Sequence, residues 1–122
     1  MVLKSHINLK DNSIGQIFTP EYIAEFMVEN IVKLIEDNNL FENKRQNLTD
    51  LRILEPSAGR GVFLKLLIEN KFSDITAYET DINLKNILIE CYPTVKFKFE
   101  NFLGSDLNDS YDIIIGNPPY LG

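Results

Sequence analysis

Apolar residues recur along the first third of the chain at the spacing of one helix face. Six of them fall between positions 20 and 37: Ile23, Phe26, Met27, Ile31, Leu34 and Ile35. Spacing by three and four residues predicts an amphipathic helix whose apolar stripe packs into a core. Thr19 is a good N-cap and Pro20 suits the first helical position, so we expect the helix to begin there.

Four short apolar runs follow a polar connector at residues 38–50, and each has the length of a strand. They lie at 51–55, 74–79, 95–99 and 112–115. The last run is rich in β-branched isoleucine, which favours a buried strand. Apolar helical patterns at 62–70 and 84–91 separate the first three runs, and Pro93 ends the second helix. Alternating strands and helices predict an α/β protein with a parallel sheet and right-handed crossovers.

Composition limits the chain to one globular domain. It has 122 residues, 44% of them apolar and 25% charged, and a formal net charge of −6. We expect a cytoplasmic protein, because no apolar run approaches a membrane helix and no signal peptide follows Met1. The single Cys91 is expected to be a buried core thiol, and the lone His6 a solvated side chain. Basic residues are scattered apart from Lys44 and Arg45, so charge argues against the chain gripping nucleic acid by itself.

The turn after the first strand, Glu55–Gly61, is the first candidate site. An acid ends the strand, and Gly59 and Gly61 let the backbone approach a ligand at a helix N-terminus. The usual dinucleotide fingerprint needs three glycines, and only two are placed here. Because Glu55 would repel a pyrophosphate and suit a cationic amine, the turn favours S-adenosylmethionine over NAD. We assign no metal site.

Three further candidates lie after the other strands. Glu79 ends the second strand at roughly the 20-residue offset at which an acid grips ribose hydroxyls. Asn101 and Phe102 follow the third strand, where an amide and an aromatic ring can read and stack an adenine. The stretch from Asn117 to Tyr120 follows the fourth, as a polar amide and an aromatic ring on a proline-stiffened turn.

Together these motifs resemble the S-adenosylmethionine-dependent DNA adenine-N6 methyltransferases in which the cofactor motifs precede the catalytic motif. Gly15-Gln16-Ile17-Phe18-Thr19-Pro20 is similar to the opening motif of that group, and Ile53–Gly61 to its cofactor turn. The resemblance covers residues 15–122, as the N-terminal part of the methyltransferase domain, with residues 1–14 as an N-terminal extension. It rests on the order of five motifs.

The resemblance implies a Rossmann-like class I methyltransferase fold with strand order 3-2-1-4, truncated after the fourth strand. It implies S-adenosylmethionine as cofactor, DNA as substrate and a restriction-modification role. The implied catalytic residues are Asn117, Pro118, Pro119 and Tyr120. The implied cofactor-binding residues are Thr19, Pro20, Glu55, Pro56, Ala58, Gly59, Gly61, Glu79, Thr80, Asn101 and Phe102. Two departures from the family pattern are Asn101, where an Asp is common, and Thr80, where a larger apolar residue often covers the adenine.

Several hypotheses stay open on the sequence. Asn-Pro-Pro-Tyr also occurs in methyltransferases of RNA guanine and of protein glutamine, but the Thr19-Pro20 helix start favours DNA adenine. The family's remaining strands and target-recognition domain are absent, so we expect an inactive fragment or one piece of a split enzyme, joined to its partner along the fourth strand. A non-catalytic subunit that binds cofactor or docks is a further alternative. A nucleotide-binding oxidoreductase is disfavoured, because Asn-Pro-Pro-Tyr has no role there.

Overall fold

The computed structural model describes residues 19–38, 48–104 and 110–117, and every structural statement below concerns those ranges. Three α-helices and four strands lie in them. In chain order they are α1 (Glu21–Asn38), β1 (Arg52–Glu55), α2 (Val62–Glu69), β2 (Asp74–Tyr78), α3 (Lys85–Cys91), β3 (Lys96–Lys98) and β4 (Ile113–Ile114).

The four strands form one sheet with the order β3-β2-β1-β4, and every pairing in it is parallel. This confirms the predicted fold class and strand order. In the centre of the sheet, Ile53 of β1 is paired with Ile75 on one side and with Ile113 on the other. Because all strands run in one direction, the loops that follow β1, β2, β3 and β4 meet at one edge of the sheet.

The core lies between the central strands and the helices. Ile53 and Leu54 of β1 are fully buried, and so are Leu64 and Leu67 of α2. Burying each such side chain stabilises the fold by about 1.5–3 kcal/mol. Helix α1 packs against α2, and this contact places the start of α1 next to the loop that follows β1.

Helix α1 begins one residue later than predicted. The Pro20 carbonyl oxygen accepts hydrogen bonds from the N–H groups of Ile23 and Ala24, both at 3.1 Å. An N-cap residue is the one whose carbonyl accepts the first helical bond, so Pro20 holds that position and Thr19 precedes it. The prediction that Thr19 is the N-cap was therefore wrong, which leaves its hydroxyl group available for another contact.

Two members of the predicted apolar stripe do not belong to the core. Phe26 is 66% exposed and Leu34 is 49% exposed, whereas Met27 and Ile35 are buried. The buried face of α1 also includes Ala24 and Val28, so the helix is rotated away from the flank that carries Phe26 and Leu34. Spacing alone could not distinguish these two flanks of a wide apolar face.

Cys91 is exposed, so the prediction of a buried core thiol was wrong. Helix α3 is short and buries a single side chain completely, that of Leu88, while Ile87 and Ile89 are exposed. Cys91 is the last residue of this helix, and the chain turns back toward the core only at Tyr92.

Strand β4 is a short edge strand, and its three isoleucines are not equally buried. Ile115 is fully buried, Ile113 is partly buried and Ile114 is 52% exposed, so the prediction of a fully buried run was wrong at Ile114. Pairing nevertheless extends beyond the two regular residues. The N–H groups of Asp112 and Ile115 donate to the carbonyl oxygens of Arg52 and Leu54, at 2.8 and 2.9 Å.

Several predictions fall outside the described residues. They concern the extension 1–14, the motif segment 15–18, His6, the Lys44-Arg45 pair, and the catalytic-motif residues Pro118, Pro119 and Tyr120. Within the described ranges, none of the helices combines the length and the apolar character that crossing a membrane would require.

Candidate functional site at the carboxyl ends of the strands

The loop from β1 to α2 has a left-handed backbone at both of its glycines. Gly59 has φ of 58° and Gly61 has φ of 88°, a region in which side chains are strained. The Ala58 N–H donates to the Tyr78 carbonyl oxygen at 2.8 Å, which ties the loop to the end of β2. The two glycines thus allow a tight turn directly before the start of α2, at the position where the sequence predicted a turn.

Glu55 is a carboxyl group buried at the base of this turn. The residue is 1% exposed, and its Oε1 accepts the Ser57 N–H at 2.7 Å. Burial raises the pKa of Glu55 from 4.5 to about 8, although the hydrogen bonds from Ser57 act to lower it. The negative charge of neighbouring Glu79 also raises the pKa of Glu55, as the smallest of these effects. The carboxyl group is therefore mostly protonated at neutral pH, and a cation placed beside it would favour the ionised form.

Glu79 links the turn to the end of β2. It is 8% exposed, and its two carboxylate oxygens accept backbone N–H groups, Oε1 from Gly59 at 2.6 Å and Oε2 from Asp81 at 2.8 Å. Charge-assisted bonds of this length are strong. Each carboxylate oxygen can accept a second hydrogen bond, so the predicted contact with ribose hydroxyls is compatible with this geometry.

Asn117 lies directly after β4 and contacts the start of α1. Its Nδ2 donates a hydrogen bond to Thr19 Oγ1 at 2.9 Å, across 98 residues of sequence, and the residue is 6% exposed. This bond fixes the plane of the amide, since the nitrogen is directed at Thr19 and the oxygen points the other way. The two motifs at opposite ends of the resemblance thus meet at one point.

A cavity of about 300 Å³ lies between Thr19, Asn117 and the turn that follows β1. Its lining residues are Thr19, Glu21, Glu55, Ser57, Ala58, Gly59, Arg60, Val62, Phe63 and Asn117. Five of them were predicted as site residues: Thr19, Glu55, Ala58, Gly59 and Asn117. A cavity of this size suits a small organic ligand.

The other predicted residues flank the cavity without lining it. Pro20, Pro56, Gly61 and Glu79 adjoin lining residues in the chain or, for Glu79, through the bond to Gly59. Thr80 is exposed. The predicted contacts of all five residues with a cofactor stay predictions.

Asn101 and Phe102 lie beyond β3, next to the end of β2. The Asn101 side-chain oxygen accepts the Leu103 N–H at 3.0 Å, so it already closes a local turn. The Phe102 ring packs edge-to-face on Tyr78, with ring centroids 5.2 Å apart. A role of this pair in binding adenine stays a prediction.

Five lining residues were not predicted as site residues: Glu21, Ser57, Arg60, Val62 and Phe63. Ser57 supplies the backbone donor to Glu55, and its position two residues after an acid, within a turn, is a signal that could have indicated this. Glu21 lines the cavity while its Oε1 pairs with Lys65 Nζ at 2.7 Å. Neither Glu21 nor Arg60 carries a sequence pattern that separates it from an ordinary surface residue.

Two curated proteins are similar to this chain in sequence. They are the Type II methyltransferases M.HincII and M.HindII, both from Haemophilus influenzae, each 37% identical over 112 residues. The match covers 92% of this chain but 18% of each relative, so the chain spans about a fifth of the length of the curated relatives it matches. No protein-family profile matches the chain.

Solved methyltransferase structures share the fold. A provisionally named RNA methyltransferase from Pyrococcus horikoshii superposes with a TM-score of 0.67 at 20% identity, over 87% of this chain and 50% of that one. The 23S rRNA methyltransferase ErmE superposes with a TM-score of 0.56 at 18% identity, over 86% and 38%. The chain is therefore a sequence relative of the Type II methyltransferases of restriction-modification type, built on the Rossmann-like fold of methyltransferases.

Proposed function

We propose that this chain supplies the cofactor pocket and the catalytic amide of a DNA methyltransferase, which transfers a methyl group from S-adenosylmethionine to the N6 amino group of adenine. The observation that carries the proposal is the bond from Asn117 to Thr19. It holds the candidate catalytic amide at the wall of the cavity that contains Glu55 and Gly59.

The residues of the cavity fit S-adenosylmethionine. Glu55 and Glu21 line it, and carboxyl groups complement an ammonium or a sulfonium but oppose a pyrophosphate. The turn around Gly59 offers a narrow backbone surface with Glu79 behind it, suited to an uncharged nucleoside. When bound, S-adenosylmethionine would supply an electrophilic methyl group.

The role of Asn117 follows from the weakness of the adenine amino group as a nucleophile, since its lone pair is delocalised into the ring. The Asn117 side-chain oxygen would accept one amino hydrogen, which localises the lone pair on nitrogen. Thr19 would keep that oxygen in place by accepting from the amide nitrogen. Such catalysis consists of positioning and charge stabilisation, without a strong base.

The remaining residues of the motif would complete the binding of the adenine base. By resemblance, the Pro118 carbonyl would accept the second amino hydrogen and Tyr120 would stack on the base. A base must leave the duplex to reach such a turn. Stacking of that kind contributes about 1–3 kcal/mol.

The net charge of the chain does not favour DNA binding by this chain alone. Its net charge is −6, and gripping a phosphate backbone requires a basic face. We therefore propose that another part of a longer protein, or a second subunit joined along β4, supplies the DNA-binding surface. The similarity to relatives five times longer supports this arrangement.

A transfer assay distinguishes the candidate substrates. The full-length protein is incubated with methyl-labelled S-adenosylmethionine and, in separate reactions, with duplex DNA, ribosomal RNA and a release factor. We expect label in DNA, recovered as N6-methyladenine after digestion to nucleosides. Label confined to RNA or protein would replace the proposed substrate. Cofactor binding without transfer to any of the three would instead favour a non-catalytic module.

A further inference from the structure

Gly116, between β4 and Asn117, packs directly against the buried carboxyl group of Glu55. A Cβ atom at position 116 would lie 2.5 Å from Glu55 Oε1 and 3.1 Å from Glu55 Cδ. It would also lie 3.2 Å from Cδ of Pro56. A Cβ atom in ordinary van der Waals contact lies 3.4–4 Å from its neighbours, so a side chain at 116 requires a displacement of roughly 1 Å.

The carboxyl side of this contact has little room to move. Glu55 is 1% exposed, and its Oε1 accepts the Ser57 N–H at 2.7 Å and lies 3.4 Å from the Ser57 hydroxyl. The oxygen that faces Gly116 is therefore the oxygen that Ser57 fixes. Moving it would break a hydrogen bond within a closely packed interior.

The backbone side of the contact is fixed as well. Before Gly116, the fully buried Ile115 donates its N–H to Leu54 at 2.9 Å. After Gly116, the Asn117 side chain is held by Thr19 at 2.9 Å. Gly116 is thus the point where a fixed turn and a fixed carboxyl group touch.

We propose that Gly116 is a positioning residue, whose missing side chain sets the spacing between the acid of the cofactor pocket and the amide that holds the substrate. This inference rests on the proposed function. In-line methyl transfer requires the donor and the acceptor at reacting distance, and a misplacement of 1 Å can cost about 100-fold in rate. The contact at Gly116 keeps Glu55 and Asn117 in register.

A double-mutant cycle tests the contact. In the full-length protein, Gly116→Ala is expected to lower kcat by about 10- to 100-fold. Adding Glu55→Asp should raise kcat at least about tenfold above that of Gly116→Ala alone. The aspartate side chain is one methylene shorter and leaves room for the new methyl group. Glu55→Asp alone should be impaired, because its carboxyl leaves Ser57.

Gly59→Ala is the matched control. Gly59 also lines the cavity, but its φ is 58° and a Cβ there would meet nothing within 4 Å. Its substitution acts through backbone strain, so Glu55→Asp should not rescue it. The inference is wrong if Glu55→Asp raises kcat of both alanine variants equally. It is also wrong if the reduction of kcat in the double variant equals the product of the two single reductions.

Urea unfolding without cofactor separates this inference from the proposed function. The double variant should have a higher unfolding midpoint than Gly116→Ala. Glu55→Asp alone should have a lower unfolding midpoint than the wild type. If Gly116→Ala alone does not fold, recovery of folded protein in the double variant is the expected result. A double variant that also fails to fold overturns the contact. If the variants show this pattern but the wild type transfers no methyl group, the contact at Gly116 stands and the proposed function alone is contradicted.

Discussion

Replacing Glu55 with Gln is expected to stabilise the fold at neutral and alkaline pH. Glu55 is 1% exposed, and its burial raises its pKa from 4.5 to about 8. Glutamine has nearly the same shape, and its side-chain oxygen can still accept the Ser57 N–H. The substitution therefore removes the ionisation of the group while keeping its packing and its hydrogen bond.

The direction in which the free energy of unfolding changes with pH depends on whether the folded or the unfolded chain holds the Glu55 proton more tightly. The unfolded chain releases the Glu55 proton near pH 4.5, whereas the folded chain holds it up to about pH 8. Between these values the folded state binds more protons, so the free energy of unfolding of the wild type falls as pH rises. At about 1.4 kcal/mol per pH unit the fall amounts to roughly 5 kcal/mol.

The assay is urea unfolding of the wild type and of Glu55→Gln at a series of pH values from 5 to 9. The two free energies of unfolding should differ by about 1 kcal/mol at pH 5 and by roughly 5 kcal/mol at pH 9, with the variant more stable. Glu25→Gln, at an exposed position of α1, is the control and should leave the pH dependence of the wild type unchanged. Parallel curves for the wild type and Glu55→Gln would refute the reasoning.

Two further substitutions test the contacts of the site. Thr19→Val removes the acceptor that orients Asn117 and should lower kcat by about 3- to 10-fold, the effect of losing one hydrogen bond. Thr19→Ser keeps the hydroxyl group and should retain activity. Equal rates for Thr19→Val and the wild type would contradict the role of Thr19. Glu79→Gln weakens the charge-assisted hydrogen bonds from the Gly59 and Asp81 N–H groups. The Kd for S-adenosylmethionine, measured by calorimetry, should therefore rise at least about tenfold. An unchanged Kd would contradict a role of Glu79 in cofactor binding.

Much of the fold was predictable because alternating apolar segments permit few arrangements. Alternating strands and helices favour parallel pairing, and right-handed crossovers leave few strand orders, one of which the resemblance selected. Exposure within each element was less predictable. Phe26, Leu34 and Cys91 satisfy the apolar spacing, but their burial depends on how each helix is rotated and where it ends.

The candidate site was predictable in its parts but not in its connections. The turn around Gly59 and the amide of Asn117 follow from sequence patterns at strand ends. The bond between Thr19 and Asn117 spans 98 residues, and the pattern had assigned Thr19 to a helix cap instead. The burial of Glu55, its raised pKa and its contact with Gly116 depend on three-dimensional packing, which no local pattern records.

The central claim is that one site holds the cofactor through the turn around Gly59 and the substrate through Asn117. The most direct test is Asn117→Ala in the full-length protein, measured both for S-adenosylmethionine binding by calorimetry and for methyl transfer to DNA. We predict a Kd close to that of the wild type together with loss of transfer. Near-normal methylation by the Asn117→Ala variant would contradict the claim.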